Sequence, residues 1–156
     1  MSISKVRKYL KIFNMEERIL EFERSSATVS DAAIAAGTSE GEIAKSLSFL
    51  INETPTLIVV AGDVKVDNQK FKETFKTKAK MLSFDEVEPL IGHAVGGVCP
   101  FAINDGVNVY LDKSLTRYEN VYPACGSSNS AIKLTISELE KTSNYISWVD
   151  VCKPII

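Results

Sequence analysis

Apolar residues recur every three to four positions at the start of the chain, at Val6, Tyr9, Leu10 and Phe13. That spacing predicts an amphipathic first helix. In RILEFE the acidic and apolar positions alternate instead, which predicts a short strand. TVSDAAIAAG reads as a small helix with Ser30 as its N-cap and Gly37 closing it. GEIAKSLSFLI starts as a helical turn and continues as a strand, and PTLIVVAGD is a buried strand leaving through a Gly-Asp turn. DNQKFKETFKTKAKML is predicted as one helix carrying Phe71, Phe75 and Leu82 on one side. SFDEVEPLIG shows a capping box, Ser83 with Glu86, and a closing Gly92. Beyond it VNVYLD, NVYPAC, AIKLTIS and YISWVDV read as strands, with SELEKTS as a short helical link. No linker, repeat or low-complexity run interrupts residues 1–156. The expected fold class is α+β, a single domain with a mixed sheet that is strand-rich toward its C-terminus.

Composition narrows the functional classes. A chain of 156 residues is long enough for a substantial core. No apolar run approaches the roughly 20 residues of a membrane helix. MSISKVRKYLKIF mixes charged with apolar positions, unlike a secretory signal, so a cytoplasmic location is expected. Three scattered cysteines, Cys99, Cys125 and Cys152, and one histidine, His93, make neither a disulfide framework nor a zinc pattern. No metal and no cofactor are expected. A net charge of −2 argues against a general polyanion binder. The charge is uneven, though: residues 65–80 carry Lys65, Lys70, Lys72, Lys76, Lys78 and Lys80 against Asp67 and Glu73.

Three segments are candidates for chemistry. In AVGGVCPFAIND, residues 94–105, Cys99 with His93 suggests a thiol–imidazole dyad, and the alternative is a packed thiol beside an ordinary loop histidine. The glycines of the same loop, Gly96 and Gly97, with Pro100 four residues after the first, suit backbone amides aimed at a carbonyl or a phosphate. A plain helix-to-strand connection uses the same residues. Lys45, in EIAKSLSF, either covers apolar surface with its stem or aims an ammonium into a cleft. Gly126, Ser127 and Ser128, in YPACGSSNSAIKL, form either a turn or a set of hydrogen-bond donors.

Taken in order, GEIAKSLSFL, VGGVCPFAI, VYLDKSL and YPACGSSNSAIKL resemble the YbaK/ProX aminoacyl-tRNA deacylases, relatives of the editing domain inserted in bacterial prolyl-tRNA synthetases. The likeness spans roughly residues 5–152. It implies a compact mixed α/β domain around a curved sheet. It also implies hydrolysis, in trans, of the ester between a wrong amino acid and the terminal adenosine of a tRNA. Through it Lys45 matches the family's lysine, and Gly96 to Pro100 match its Gly-x-x-x-Pro loop. Gly126 to Ser128 match its polar turn. Catalytic roles thus fall on Lys45, Gly96 and Gly97, and substrate contacts on Ser46, Val98, Cys99, Pro100, Gly126, Ser127 and Ser128. In this family no cysteine is the nucleophile, and Cys99 occupies a variable position. Ala102 stands where many relatives carry a further glycine. Lys72, Lys76 and Lys80, read as one helical row, would meet acceptor-stem phosphates, or else form a solvated face. The implied partners are the acceptor end of a mischarged tRNA, tRNA(Pro) carrying Ala, Cys, Ser or Thr, and prolyl-tRNA synthetase. The alternatives are a module that binds aminoacyl-tRNA or a small amino acid without catalysis, and a thiol hydrolase or redox protein using Cys99.

Overall fold

The computed structural model describes residues 2–155. Its centre is β2 (Ile43–Ile51) paired antiparallel with β3 (Thr54–Ala61) through a two-residue turn at Asn52 and Glu53. Both turn residues have positive φ, 49° and 66°. That mirror-image turn matches the right-handed twist of the strands it joins. Leu57, Ile58, Val59, Val60 and Ala61 of β3 are fully buried. A continuous apolar run of this kind marks a strand covered on both faces.

Around this hairpin the sheet grows in both directions, in the order β8 (Leu134–Thr135), β6 (Asn120–Pro123), β2, β3, β5 (Asn108–Asp112), β9 (Ser147–Val149). The β2–β6, β3–β5 and β5–β9 pairs are parallel and the others antiparallel, so the sheet is mixed. Two small antiparallel pairs flank it. One joins β1 (Ile19–Glu21) to β7 (Ser130–Ile132), the other β4 (Val64–Val66) to β10 (Cys152–Pro154). The expected α+β class with a curved mixed sheet is what the chain forms. No helix among the described residues is long and apolar enough to cross a membrane.

Among the described residues five α-helices cover the sheet: α1 (Ser2–Lys11), α2 (Val29–Ala36), α3 (Asn68–Phe75), α4 (Phe84–Ile91) and α5 (Ile136–Ser143). Val6 and Leu10 of α1 are fully buried, as the helical spacing requires. The Ser83–Glu86 capping box opens α4, and Gly92 closes it at φ 106°. Three sequence expectations are corrected. The cap of α2 is Thr28, whose hydroxyl accepts from Asp31 N–H at 3.1 Å, while Ser30 lies inside the helix. Ile136 and Ser137 open α5, capped by Thr135, rather than extending a strand. Finally, α3 stops at Phe75, because Lys76 turns left-handed at φ 60° and the chain beyond pairs with the edge of β2. Leu50 N–H donates to Lys80 O at 2.9 Å, and Leu82 N–H to Ser48 O at 3.1 Å. Lys72, Lys76 and Lys80 therefore share no helical face, though all three are exposed.

Candidate active site

One cavity of about 390 Å³ lies against β2 and beneath the loop that follows α4. Side chains alternate across a strand. Ala44, Ser46 and Ser48 accordingly line the cavity, while Phe49 packs against Phe71 of α3 with ring centroids 5.1 Å apart. Opposite them Gly96 and Val98 contribute from the loop, and Ser130 and Tyr122 from distant segments. Apart from the Tyr122 phenol, no lining side chain among the described residues is ionisable.

The loop has little choice of shape. Gly96 sits at φ 98°, a region that costs a residue with a Cβ about 1 kcal/mol or more. A Cβ on Gly97 would stand 2.6 Å from the Gly126 carbonyl carbon and from the Ser127 nitrogen, so the two glycine turns are in backbone contact. Gly97 N–H is used internally, donating to Ala94 O at 3.0 Å. The N–H groups of Gly96 and Val98 have no hydrogen-bond partner among the described residues. The loop thus offers two uncommitted donors beside the cavity.

The Gly126–Ser128 turn supports this loop from behind instead of lining the cavity. Ser128 O accepts from Ser26 N–H at 2.6 Å and Ser26 Oγ at 3.3 Å, which holds the 25–28 segment at the cavity wall. Ser127 Oγ lies 2.7 Å from Ser130 Oγ. Ser46 Oγ is a buried oxygen without a partner among the described residues.

Cys99 and His93 do meet, with Cys99 Sγ 3.5 Å from His93 Nε2. They form no nucleophilic pair. His93 Nε2 donates to Phe101 O at 2.6 Å, so that nitrogen already carries its proton. Burial pushes the Cys99 thiol up to about 12, and it is wholly enclosed. Cys99 and Pro100 are core residues that do not line the cavity, and the thiol faces Phe101 O at 3.7 Å. The geometry speaks against the thiol-hydrolase reading.

Lys45 lies between two cavity residues, but its side chain leaves on the other side of β2. Its ammonium donates to Val64 O at 2.6 Å, and burial draws its pKa below the ordinary lysine value. The structure therefore brings together Ser46, Gly96 and Val98 around one cavity, with Gly97, Gly126, Ser127 and Ser128 as its backing. Lys45 is one strand thickness away. Sequence reasoning missed Ser48 and Tyr122, and placed Ser130 only as an extension of the polar run after Ser128. The small-residue alternation Ala44, Ser46, Ser48 was the one local signal for any of them.

Residues 23–142, more than three quarters of the chain, match the aminoacyl-tRNA editing domain family. The chain belongs to that family. An uncharacterized Bacillus subtilis (strain 168) protein, YwhH, is 51% identical over 154 residues, covering 98% of each chain. The proline–tRNA ligase of Aquifex aeolicus (strain VF5) is 29% identical over 85 residues, covering 53% of this chain and 15% of that enzyme. The solved structure of a proposed trans-editing enzyme for prolyl-tRNA synthetase superposes with a TM-score of 0.87 at 28% identity, covering 97% of each chain. Within this editing domain the loop from Gly96 to Pro100 reaches the cavity edge through Gly96 and Val98. No group of three or more His, Cys, Asp or Glu able to hold a metal occurs among the described residues.

Proposed function

We propose that this editing domain is a free-standing deacylase that hydrolyses the ester of a mischarged tRNA, tRNA(Pro) carrying a small amino acid. The observation carrying the proposal is the pair of uncommitted N–H groups, Gly96 and Val98, at a cavity walled by small side chains. Two preorganised donors suit the oxyanion that develops when water adds to an ester carbonyl. The bond from the carbonyl carbon to the ribose oxygen then breaks, and that oxygen leaves as the hydroxyl. Among the described residues, none that lines the cavity offers a carboxylate, imidazole or thiol as base or nucleophile. Rate enhancement accordingly rests on positioning and on charge stabilisation of an already activated ester, with the neighbouring ribose hydroxyl helping to place the water.

Lys45 contributes its positive charge through the strand. Its backbone lies between Ala44 and Ser46, and its ammonium is half-buried, where a charge is screened less than in water. Ala32, Ala44, Ala124 and Ala131 leave room for a small aminoacyl group. Each methylene in such a pocket is worth only about 1–3 kcal/mol of discrimination. Prolyl-tRNA synthetase, the source of the mischarged substrate, is the proposed partner.

The deciding experiment offers the purified protein tRNA(Pro), tRNA(Ala) and tRNA(Thr) charged with Ala, Ser, Thr, Cys or Pro. Loss of a small amino acid from tRNA(Pro), with Pro-tRNA(Pro) spared, is the expected result. The absence of an ionisable group beyond Tyr122 favours one other reading, a module that binds without cleaving. Tight retention of intact mischarged tRNA for hours would establish that reading instead.

A further inference from the structure

The mouth of the cavity is unusually apolar for a surface. Phe84, Met81 and Val95 all line it and are 76%, 57% and 49% exposed. Single exposed apolar side chains are ordinary, but three around one opening mark a binding surface. The backbone at Phe84 is set by its place as the first residue of α4, between Ser83 and Glu86 of the capping box. Val95 adjoins Gly96, so this rim begins one residue from the proposed carbonyl site.

We propose that this rim seats the purine base of the substrate's terminal nucleotide, stacked on Phe84 and flanked by Met81 and Val95. The proposal rests on the deacylase reading above. In a 3′-aminoacyl nucleotide a single ribose ring joins ester and base. A carbonyl held at Gly96 and Val98 therefore leaves the base at the mouth, where the side chains are apolar. A charged rim would suit a phosphate there; an aromatic face suits a base, whichever base it is. The flanking charge agrees. The strand-like segment entering the rim carries Lys78 and Lys80, both exposed, while Asp85 and Glu86 follow Phe84 in the first turn of α4; the phosphates leading away from a base on Phe84 therefore leave along the Lys78–Lys80 side.

The test compares wild type with Phe84→Ala, Phe84→Trp and a remote control, Ile12→Ala, which removes another exposed apolar side chain. Two measurements are made: deacylation kinetics, and binding of the non-hydrolysable 3′-alanylamido-3′-deoxyadenosine. For Phe84→Ala, a rise of about tenfold in KM and in analogue Kd is expected, with kcat little changed. Phe84→Trp should retain wild-type affinity and show indole quenching on binding, and Ile12→Ala should match wild type. A wild type that cleaves mischarged tRNA while Phe84→Ala does so with the same KM and Kd overturns the base seat alone. A wild type that neither cleaves mischarged tRNA nor binds the analogue overturns the deacylase reading and the seat with it. Sedimentation of the wild type as a dimer that Phe84→Ala dissociates, with analogue affinity unchanged, assigns the rim to a second copy of the chain and also overturns the proposal.

Discussion

Gly97 rests directly on the peptide that joins Gly126 to Ser127, with no space for even a methyl group between the two turns. This contact couples the loop that carries the donors to the turn that holds the cavity wall.

Gly97→Ala places a Cβ at 2.6 Å from backbone atoms, which cannot yield as a flexible side chain would. The turns must separate, at a cost on the order of 2 kcal/mol for an overpacked site. Deacylation is expected to fall at least a hundredfold, with a melting temperature several degrees lower. Wild-type turnover in this variant would show that the contact does not position the donors.

Cys99 is predicted to be chemically silent. Its thiol is enclosed and pushed up to about 12, so the thiolate that would react is essentially missing at neutral pH. Cys99→Ala should keep kcat within about threefold, and iodoacetamide should label position 99 only after unfolding. Rapid labelling of the native protein with loss of activity would restore the thiol reading.

Lys45→Ala should lower kcat by more than tenfold with little change in KM, because the ammonium lies behind the cavity wall and touches no substrate. The melting temperature separates this from a folding defect. Equal kcat in the two proteins removes Lys45 from the mechanism.

Ala102 adopts φ 54°, a left-handed backbone that glycine enters freely and alanine does not. An alanine held in this conformation leaves strain at the loop's exit. Ala102→Gly is expected to stabilise the protein by about 0.5–1 kcal/mol, a rise of a few degrees in Tm. A fall in Tm would mean that packing of the alanine methyl outweighs the strain.

Glu138 is held down to about 2 by its hydrogen bond with Arg18 and by the Thr135 N–H. Its unfolded counterpart titrates near 4.5, so unfolding takes up a proton between these values. The stabilisation is complete above pH 4.5 and fades as the pH drops toward 2. Glu138→Gln should flatten this part of the stability–pH curve, measured by denaturant unfolding from pH 2 to 6.

Features decided by neighbouring residues were legible in the sequence. The Ser83–Glu86 box and the buried run of β3 need only local chemistry, and both lie where the pattern puts them. The end of α3 was not legible, since apolar spacing continues through Leu82 while pairing with β2 takes the segment away. Ser30, the expected cap of α2, and Thr28, the actual one, are hydroxyls two residues apart, and only geometry chooses between them. The site divides in the same way. Family likeness pointed to Gly96, but Ser130 and Tyr122 reach the cavity from segments far away in the chain. The strand face that Lys45 takes follows from register, which one sequence does not reveal.

The turn at Gly126 is braced on its far side by the beginning of α1, where a Cβ would come within 2.8 Å of the Ser2 carbonyl carbon and 3.0 Å of a Val6 methyl. The opening helix is thus the back wall of a relay: shaving it would unseat Gly126, then Gly97, then the donors beside them. A change within the first turn of α1 is therefore expected to be felt at the proposed donors, although no residue of that helix lines the cavity.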